Sequence, residues 1–370
     1  MKEKLIIRNF GPIKNAELEL GRFNVLIGEN GTGKSTVVKV LASIYNLFNA
    51  IEGERSSLLT DTILASISHL KKHLSIYSID NYLTTNSVIK LDRKDVWQGK
   101  NVFFYLEDEK IVTNMPEHYK KTNYHLNNNV TYIPADRIAT SLFSAATWPD
   151  LVDIEEGRLD MPKYFLRFSS LFGRVKKGKE EFDFTELLGV KFRHENGIDK
   201  IILKDGTIIS INESASAIQS NLSLCTILDW QYDERETIKT FVIEEPELNL
   251  FPTFQNKLMQ YLVDKTMNLG NNMILTTHSP YILTSLNNMI YAYEVGQNHP
   301  EEIEHIIDKK YWLNPADIGA YRLTEDGTEK NILDGEMKLI EAGEIDEISR
   351  SLNEIFDRIA NVEYSTVDED

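Results

Sequence analysis

A glycine-rich run near the start of the chain constrains its fold more than any other feature. The segment from 23 to 27 is apolar and is predicted to be a buried strand, and the segment from 36 to 45 has the pattern of a helix. The run between them fits the phosphate-binding loop pattern G-x-x-x-x-G-K-[ST] and reads Gly28-Glu29-Asn30-Gly31-Thr32-Gly33-Lys34-Ser35. This order predicts an α/β protein that binds a nucleoside triphosphate, rather than a glycine-rich turn that binds nothing.

The loop supplies groups for a triphosphate and for its metal ion. Glycines let consecutive main-chain N–H groups point inward, and the N-terminus of the following helix adds partial positive charge. Lys34 is predicted to reach the β- and γ-phosphates, and the Ser35 hydroxyl to ligate Mg²⁺. The predicted ATP-binding residues are Asn30, Gly31, Thr32, Gly33, Lys34, Ser35 and Thr36.

Two later strands are predicted to end in ionisable side chains. Residues 240–243 are apolar and lead into Glu244 and Glu245, and residues 272–276 lead to His278. In phosphate-loop enzymes, an acid in the first position holds Mg²⁺ through water, and a neighbouring acid polarises the attacking water. We therefore predict Glu244 as the metal-side acid, Glu245 as the general base and His278 as a donor to the γ-phosphate. Either motif alone is weak, because acidic turns and structural histidines are common.

Charge and hydropathy limit the partners of the chain. The formal net charge of −17 argues against non-specific adhesion to DNA, although nucleic acid stays possible through a local patch. The chain has one compact basic cluster, formed by Arg174, Lys176, Lys177 and Lys179. We favour its interpretation as a solvated loop over its interpretation as a nucleic-acid contact. No apolar run reaches the roughly 18–20 residues that span a bilayer, and the N-terminus leads directly into a strand. We expect a cytoplasmic protein with no membrane partner.

The pattern along the chain predicts four segments. Residues 1–137 form the first part of an ATPase head, and residues 138–188 form an inserted helical lobe. Residues 189–295 form the second part of the head, whose sheet is expected to end near residues 289–295. Residues 296–370 form a C-terminal extension that contains an acidic amphipathic helix, with apolar residues at helical spacing between 345 and 359.

The order of the motifs resembles that of an ABC-type ATPase head. The sequences Ile7-x-Asn9-Phe10-Gly11-Pro12-Ile13 and Glu245-Pro246-Glu247-Leu248-Asn249-Leu250-Phe251-Pro252 resemble the RecF/SMC/OLD-like branch. Within that branch the chain is similar to stand-alone AAA ATPases of the AAA_15 and AAA_21 type, which are found in bacterial anti-phage systems. Transporter nucleotide-binding domains lack the N-terminal sequence and are disfavoured.

This resemblance implies a site that two chains complete together. Such heads form a head-to-tail homodimer, or a higher homo-oligomer, around two ATP–Mg²⁺, and a signature serine reaches the γ-phosphate in trans. Ser216 and Gln219 match the signature serine and glutamine, whereas Ala217 and Ile218 replace its two glycines. A serine at a helix start is also an ordinary N-cap, so that interpretation stays open.

The glutamine that the family carries after its middle strand is missing here. Asp136 and Arg137 follow the predicted strand at residues 130–134 instead. Two roles are open for Arg137, a contact with phosphate or a surface ion pair.

Three functions agree with these motifs. The first is a defence ATPase that senses infection and controls a separate effector, a nuclease or a toxin. The second is a DNA repair or recombination ATPase that acts on DNA ends, and the third is a scaffold that binds ATP without hydrolysis. About 80 residues follow Tyr291, too few for a Toprim nuclease domain plus the final helix, so we expect any effector to be another chain. The net negative charge argues against direct action on DNA. The presence of Glu245 and His278, the predicted hydrolytic residues, argues against a scaffold that does not hydrolyse ATP.

Overall fold

A computed structural model describes residues 3–53, 67–94, 101–113, 129–142, 161–233, 239–336 and 338–341. Within these ranges the strands are β1 (Glu3–Phe10), β2 (Ile13–Leu20), β3 (Phe23–Ile27), β4 (Val88–Lys94), β5 (Asn101–Glu107), β6 (Lys110–Thr113), β7 (Asn129–Ile133), β8 (Phe182–Phe184), β9 (Val190–Glu195), β10 (Ile198–Leu203), β11 (Ile208–Ser210), β12 (Lys239–Glu244), β13 (Asn272–Thr277), β14 (Ile318–Leu323) and β15 (Glu329–Asn331).

The α-helices in the same ranges are α1 (Lys34–Gly53), α2 (Ile67–Leu74), α3 (Ile138–Leu142), α4 (Lys163–Val175), α5 (Ser216–Asp233), α6 (Pro252–Thr266), α7 (Pro280–Gly296) and α8 (Pro300–Glu304). Short 3-10 helices lie at Ser75–Tyr77, Asp80–Tyr82, Ala135–Arg137, Ile211–Glu213, Met267–Leu269, Lys309–Tyr311 and Pro315–Asp317.

A six-stranded sheet with the order β15-β14-β3-β13-β12-β7 brings the predicted motifs together. All of its neighbouring strands are parallel except β15, which is antiparallel to β14. The register places Ile27 beside Thr277 and Glu244 beside Thr276. Since the carboxyl ends of parallel strands share one edge, the segments that follow β3, β12 and β13 meet there.

Two hydrophobic cores cover the two faces of this sheet. Val242 packs into the core that contains α1 and the antiparallel sheet β2-β1-β4-β5-β6. Phe241 and Ile243, which point the opposite way from the same strand, pack into the core that contains α5, α6, α7 and the antiparallel sheet β11-β10-β9-β8. A strand buried on both faces has no polar alternation, and this explains the continuous apolar pattern of β12.

Most predicted elements are confirmed, with two corrections. The sheet does not end near residues 289–295, because that segment continues α7, and the last strands of the sheet are β14 and β15. The helical pattern expected through residue 188 stops earlier, since β8 is a strand that pairs with β9. The division into four segments stays a prediction, and β14 joins the central sheet from within the segment predicted as an extension.

The amphipathic helix predicted between residues 345 and 359 lies outside the described residues. Part of the predicted helical lobe, residues 143–160, also lies outside them. Among the helices that the structure describes, none has the length and hydrophobicity that crossing a bilayer requires.

Candidate functional site

The glycine-rich loop has a conformation that only glycine tolerates well. Gly28, Gly31 and Gly33 have φ angles of 151°, 81° and 99°. A Cβ atom on Gly33 would lie 2.4 Å from the Ile13 side chain, and one on Gly28 would lie 2.3 Å from the Leu323 carbonyl oxygen. The loop is therefore fitted closely between the β1–β2 turn and the end of β14.

Lys34 opens α1, and its amino group lies against its own loop. Its Nζ donates to the carbonyl oxygens of Gly28 at 2.8 Å and Glu29 at 2.7 Å. The Thr32 hydroxyl donates to the same Glu29 oxygen at 2.9 Å. Burial lowers the pKa of Lys34, and the carboxylates of Glu245 and its neighbours oppose this shift. These contacts place a cation at the mouth of the loop, where a triphosphate would bind.

Glu244 ends β12 as a buried acid beside the phosphate loop. It is 5% exposed, and its Oε1 atom has no hydrogen-bond partner. Burial raises the pKa of the carboxyl group, while the charge of Lys39 and the hydroxyls of Tyr132 and Ser35 oppose this rise. A serine hydroxyl beside an unsatisfied carboxylate oxygen offers the hard oxygen ligands that Mg²⁺ prefers, so Ser35 and Glu244 fit the metal predicted for them.

Glu245 and His278 face each other across the ends of β12 and β13. Glu245 Oε1 lies 3.3 Å from His278 Nε2, and both side chains are about 30% exposed. The main chain of Glu245 has a left-handed φ of 44°, a conformation that is unusual outside glycine and clusters at functional sites. This turn directs the Glu245 side chain towards the loop, whereas Glu244 stays beneath it.

A pocket of about 210 Å³ joins these groups. The predicted site residues that line it are Asn30, Gly31, Gly33, Lys34, Ser35, Thr36, Glu245 and His278. Pro12 and Tyr82, which the sequence reasoning missed, line it as well. Pro12 belongs to the β1–β2 turn, so the N-terminal motif Asn9-Phe10-Gly11-Pro12 could have indicated it. The pocket places a cation, a carboxylate and an imidazole around one opening, and these groups can catalyse phosphoryl transfer to water.

Glu247 is a further residue to which the sequence reasoning gave no role. Its Oε1 accepts hydrogen bonds from the Thr277 hydroxyl at 2.6 Å and from the His278 main-chain N–H at 2.9 Å. Burial raises the pKa of this carboxyl group, and the two donors oppose the rise. Glu247 therefore holds the end of β13, and with it His278, against the turn that follows β12. Its place in the sequence Glu244-Glu245-Pro246-Glu247 was the available signal.

The predicted signature segment does not line this pocket. Ser216 is exposed at the first residue of α5 and is not among the described residues that line the pocket. The Gln219 side chain turns back and donates to the carbonyl oxygens of Ile211, Asn212 and Ser214. A single chain thus brings together the loop, the carboxylates and the histidine, but not Ser216.

Neither role predicted for Arg137 is correct. The side chain is fully buried, and its guanidinium donates to main-chain carbonyl oxygens instead of meeting phosphate or solvent. Two of the four residues of the predicted basic cluster form ion pairs, because Lys176 is buried against Asp199 and Lys179 pairs with Asp229, each at 2.7 Å.

A match to a known protein family agrees with this chemistry. The family AAA_15, described as an AAA ATPase domain, matches residues 1–157 and 48–283. No curated protein matches the chain. One similar solved structure is the SMC head domain from Thermotoga maritima, which is 11% identical with a TM-score of 0.41 and covers 77% of this chain and 91% of that one. Another is an SMC head bound to the C-winged helix domain of ScpA, which is 13% identical with a TM-score of 0.46 and covers 90% of this chain and 97% of that one. The recombination mediator RecF is 12% identical, with a TM-score of 0.40 over 90% and 98%. These structural likenesses are remote, and the family match alone identifies the chain.

Proposed function

The chain belongs to the AAA ATPase domain family AAA_15 and is an ATPase, and we propose that ATP acts in it as a dimerisation switch that controls a separate effector in bacterial anti-phage defence. In this proposal Ser35 and Glu244 hold Mg²⁺, Glu245 activates the attacking water, and His278 contacts the γ-phosphate. Two chains associate head to tail around two ATP molecules, and hydrolysis releases them.

The absence of Ser216 from the described residues that line the pocket carries the dimer proposal. The pocket opens to solvent beside exposed Asn30 and Gly31, so a second chain can supply the missing contact to the γ-phosphate. Exposed aromatic side chains lie close in sequence to the site, Phe251 at 70% and Tyr281 at 54% exposure. Aromatic residues of this kind are enriched at protein interfaces, and they would lose their solvent contact on association.

Nucleotide-dependent association tests the switch. In the Glu245→Gln chain, which is expected to retain ATP, we expect ATP–Mg²⁺ to double the particle mass measured by light scattering. Adding Ser216→Arg should prevent the doubling by placing a bulky side chain at the contact, whereas Ser170→Arg, which changes an exposed serine of α4, should not. A mass of one chain at saturating ATP would contradict the dimer. A mass of two or more chains with and without ATP would contradict the switch.

The effector proposal rests on the family resemblance and on exposed surface outside the ATP site. The described part of the predicted helical lobe presents Leu166, Arg167, Ser170 and Arg174 along the exposed side of α4. An ATP-dependent change in the heads could alter a partner's contact with this surface. The size of that response is limited by the difference in the partner's affinity for the ATP-bound and ATP-free states.

A second candidate, a DNA repair or recombination ATPase, is favoured by one observation on the same helix. The exposed Arg167 and Arg174 line a groove of about 440 Å³ together with half-buried Tyr164 and buried Tyr77. Exposed guanidinium groups are among the groups that contact nucleic-acid backbones. The overall acidic charge opposes this candidate.

Affinity purification from the native host separates the two candidates. We expect an effector to co-purify with the wild-type chain and to change in amount with Lys34→Ala, because that variant is fixed in the nucleotide-free state. The purified chain alone should cut neither DNA nor RNA. Absence of a co-purifying protein, together with ATP turnover that rises on addition of linear duplex DNA, would favour the DNA candidate. ATP-dependent degradation of nucleic acid by the chain alone would replace both with a self-contained nuclease.

A further inference from the structure

Arg137 is a fully buried cation whose contacts converge on the catalytic turn. It ends the 3-10 helix that follows β7 and is 0% exposed. Its guanidinium donates to five main-chain carbonyl oxygens, those of Ser220 at 2.9 Å, Pro134 at 3.2 Å, Glu244 at 2.8 Å, Glu245 at 2.8 Å and Pro246 at 3.3 Å. The N–H groups of the guanidinium therefore bind three segments that are distant from one another in the sequence.

The environment of Arg137 shows that these hydrogen bonds, and not an ion pair, hold the charge. Among the described residues no carboxylate lies within ion-pair distance of its guanidinium. Burial lowers the pKa of Arg137 to about 10, which leaves the group charged at neutral pH, and the nearby Glu247, Glu245 and Glu244 carboxylates oppose the shift. A charge without solvent is tolerated only where polar groups replace the water, and the carbonyl oxygens do so here.

The carboxylate turn, residues 244–250, is fixed from both sides by these bonds. Arg137 binds the carbonyl oxygens of Glu244 and Glu245, and the Glu245 N–H donates to the Thr276 carbonyl oxygen of β13 at 2.9 Å. The left-handed φ of 44° at Glu245 lies between these two attachments. Strained main-chain conformations persist where the surroundings over-determine them, and Arg137 supplies that constraint.

The start of α5 is attached to the same turn. Beside the bond from Arg137 to the Ser220 carbonyl oxygen, Asn249 Nδ2 donates to the Ser220 hydroxyl at 2.5 Å. Asn221 Nδ2 donates to the Leu248 carbonyl oxygen at 3.2 Å. Ser216, which opens α5, therefore belongs to a helix whose second turn is bound to the carboxylate turn through hydrogen bonds.

We propose that Arg137 is a positioning residue that couples the signature segment to the hydrolytic carboxylates. It takes no proton and touches no nucleotide, but it fixes the direction of Glu245 and transmits a displacement of α5 to the carboxylate turn. The second half of this inference rests on the proposed dimer, in which a partner chain contacts Ser216. Hydrolysis would then respond to the docking of the partner through Arg137.

A set of variants compares turnover with ATP binding. We expect Arg137→Met to lower kcat by about 10²-fold, because a displacement of about 1 Å at a catalytic group has that cost. The dissociation constant for ATP should stay within about threefold, since the phosphate loop keeps its contacts. Arg137→Lys retains the charge with fewer donors and should recover part of kcat. Arg22→Met is the control, because it removes another guanidinium–carbonyl bond, from Arg22 to Met267 at 2.8 Å, away from the site.

Asn249→Gly keeps the test decisive if Arg137→Met does not fold. It removes the bond to Ser220 while glycine suits the φ of 61° at that position, and it should lower kcat without weakening ATP binding. A kcat within twofold of wild type in folded Arg137→Lys and Asn249→Gly would overturn the proposal. So would a loss of ATP affinity that parallels the loss of kcat, which indicates a general structural role. If Glu245→Gln does not dimerise with ATP, the dimer proposal fails, while the effect of Arg137 on kcat is still decided by these variants.

Discussion

ATP binding is expected to disappear when Lys34 is replaced by alanine. Lys34 is the only Lys or Arg among the described residues that line the nucleotide pocket, and its Nζ already lies at the mouth of the phosphate loop on the oxygens of Gly28 and Glu29. Hydrogen bonds to charged groups contribute about 1.5–3 kcal/mol each, so loss of contacts to two phosphates weakens binding by about 10²–10⁴-fold. Calorimetric titration with ATP–Mg²⁺ measures this change directly.

Lys72→Ala is the matched control for this variant. Lys72 is an exposed lysine of α2 and does not line the pocket. We expect its removal to change the ATP dissociation constant by less than about tenfold, since the charge of an exposed side chain outside the site acts weakly through water. Near-normal ATP binding in a folded Lys34→Ala chain would show that the loop does not bind phosphate.

The sequence predicted which residues meet at this edge of the sheet because each of its parts has a local signal. The glycines at 28, 31 and 33 mark left-handed positions, and apolar runs mark β3, β12 and β13 as strands buried on both faces. Parallel pairing then brings Glu244, Glu245 and His278 to one edge without further information. Local patterns were sufficient where the chain alternates between strands and helices.

The end of the sheet could not be predicted in the same way. Residues 289–295 contain alternating apolar and aromatic side chains, a pattern that a short strand and a buried helix share. In the structure these residues continue α7, in which Met289, Ile290 and Ala292 are buried. The strand that completes the sheet, β14, pairs with β3 across almost the whole length of the chain, and no local pattern indicates such a partner.

Arg137 shows a second kind of limit. Charged residues are rarely fully buried, so residue type alone left open a contact with phosphate or a surface ion pair and did not indicate burial. The oxygens that satisfy its guanidinium belong to Pro134 after β7, to α5 and to the carboxylate turn, and these come together only in the folded chain. The role of such a residue depends on main-chain acceptors, which every residue carries. The side chains near it in the sequence therefore do not indicate that role.

Replacement of Glu245 by glutamine is expected to slow ATP hydrolysis by about 10²–10⁴-fold, the range for removal of a general base. Glutamine keeps the size of the side chain and can still lie beside His278 Nε2, which is 3.3 Å from Glu245 Oε1. ATP affinity should stay close to that of wild type, because Lys34 and the phosphate loop are unchanged. Single-turnover hydrolysis measured beside equilibrium ATP binding separates the two effects.

Glu244→Gln tests whether the two neighbouring acids have different roles. Glu244 is buried beside Ser35 and has an unsatisfied oxygen, whereas Glu245 lines the pocket. We therefore expect Glu244→Gln to raise the Mg²⁺ concentration needed for half-maximal turnover, and Glu245→Gln to lower turnover at every Mg²⁺ concentration. His278→Ala should lower turnover with a smaller effect on binding, since it removes a contact to the γ-phosphate alone. If Glu245→Gln turns over like wild type while Glu244→Gln does not at saturating Mg²⁺, the buried acid is the base and the two assignments are reversed.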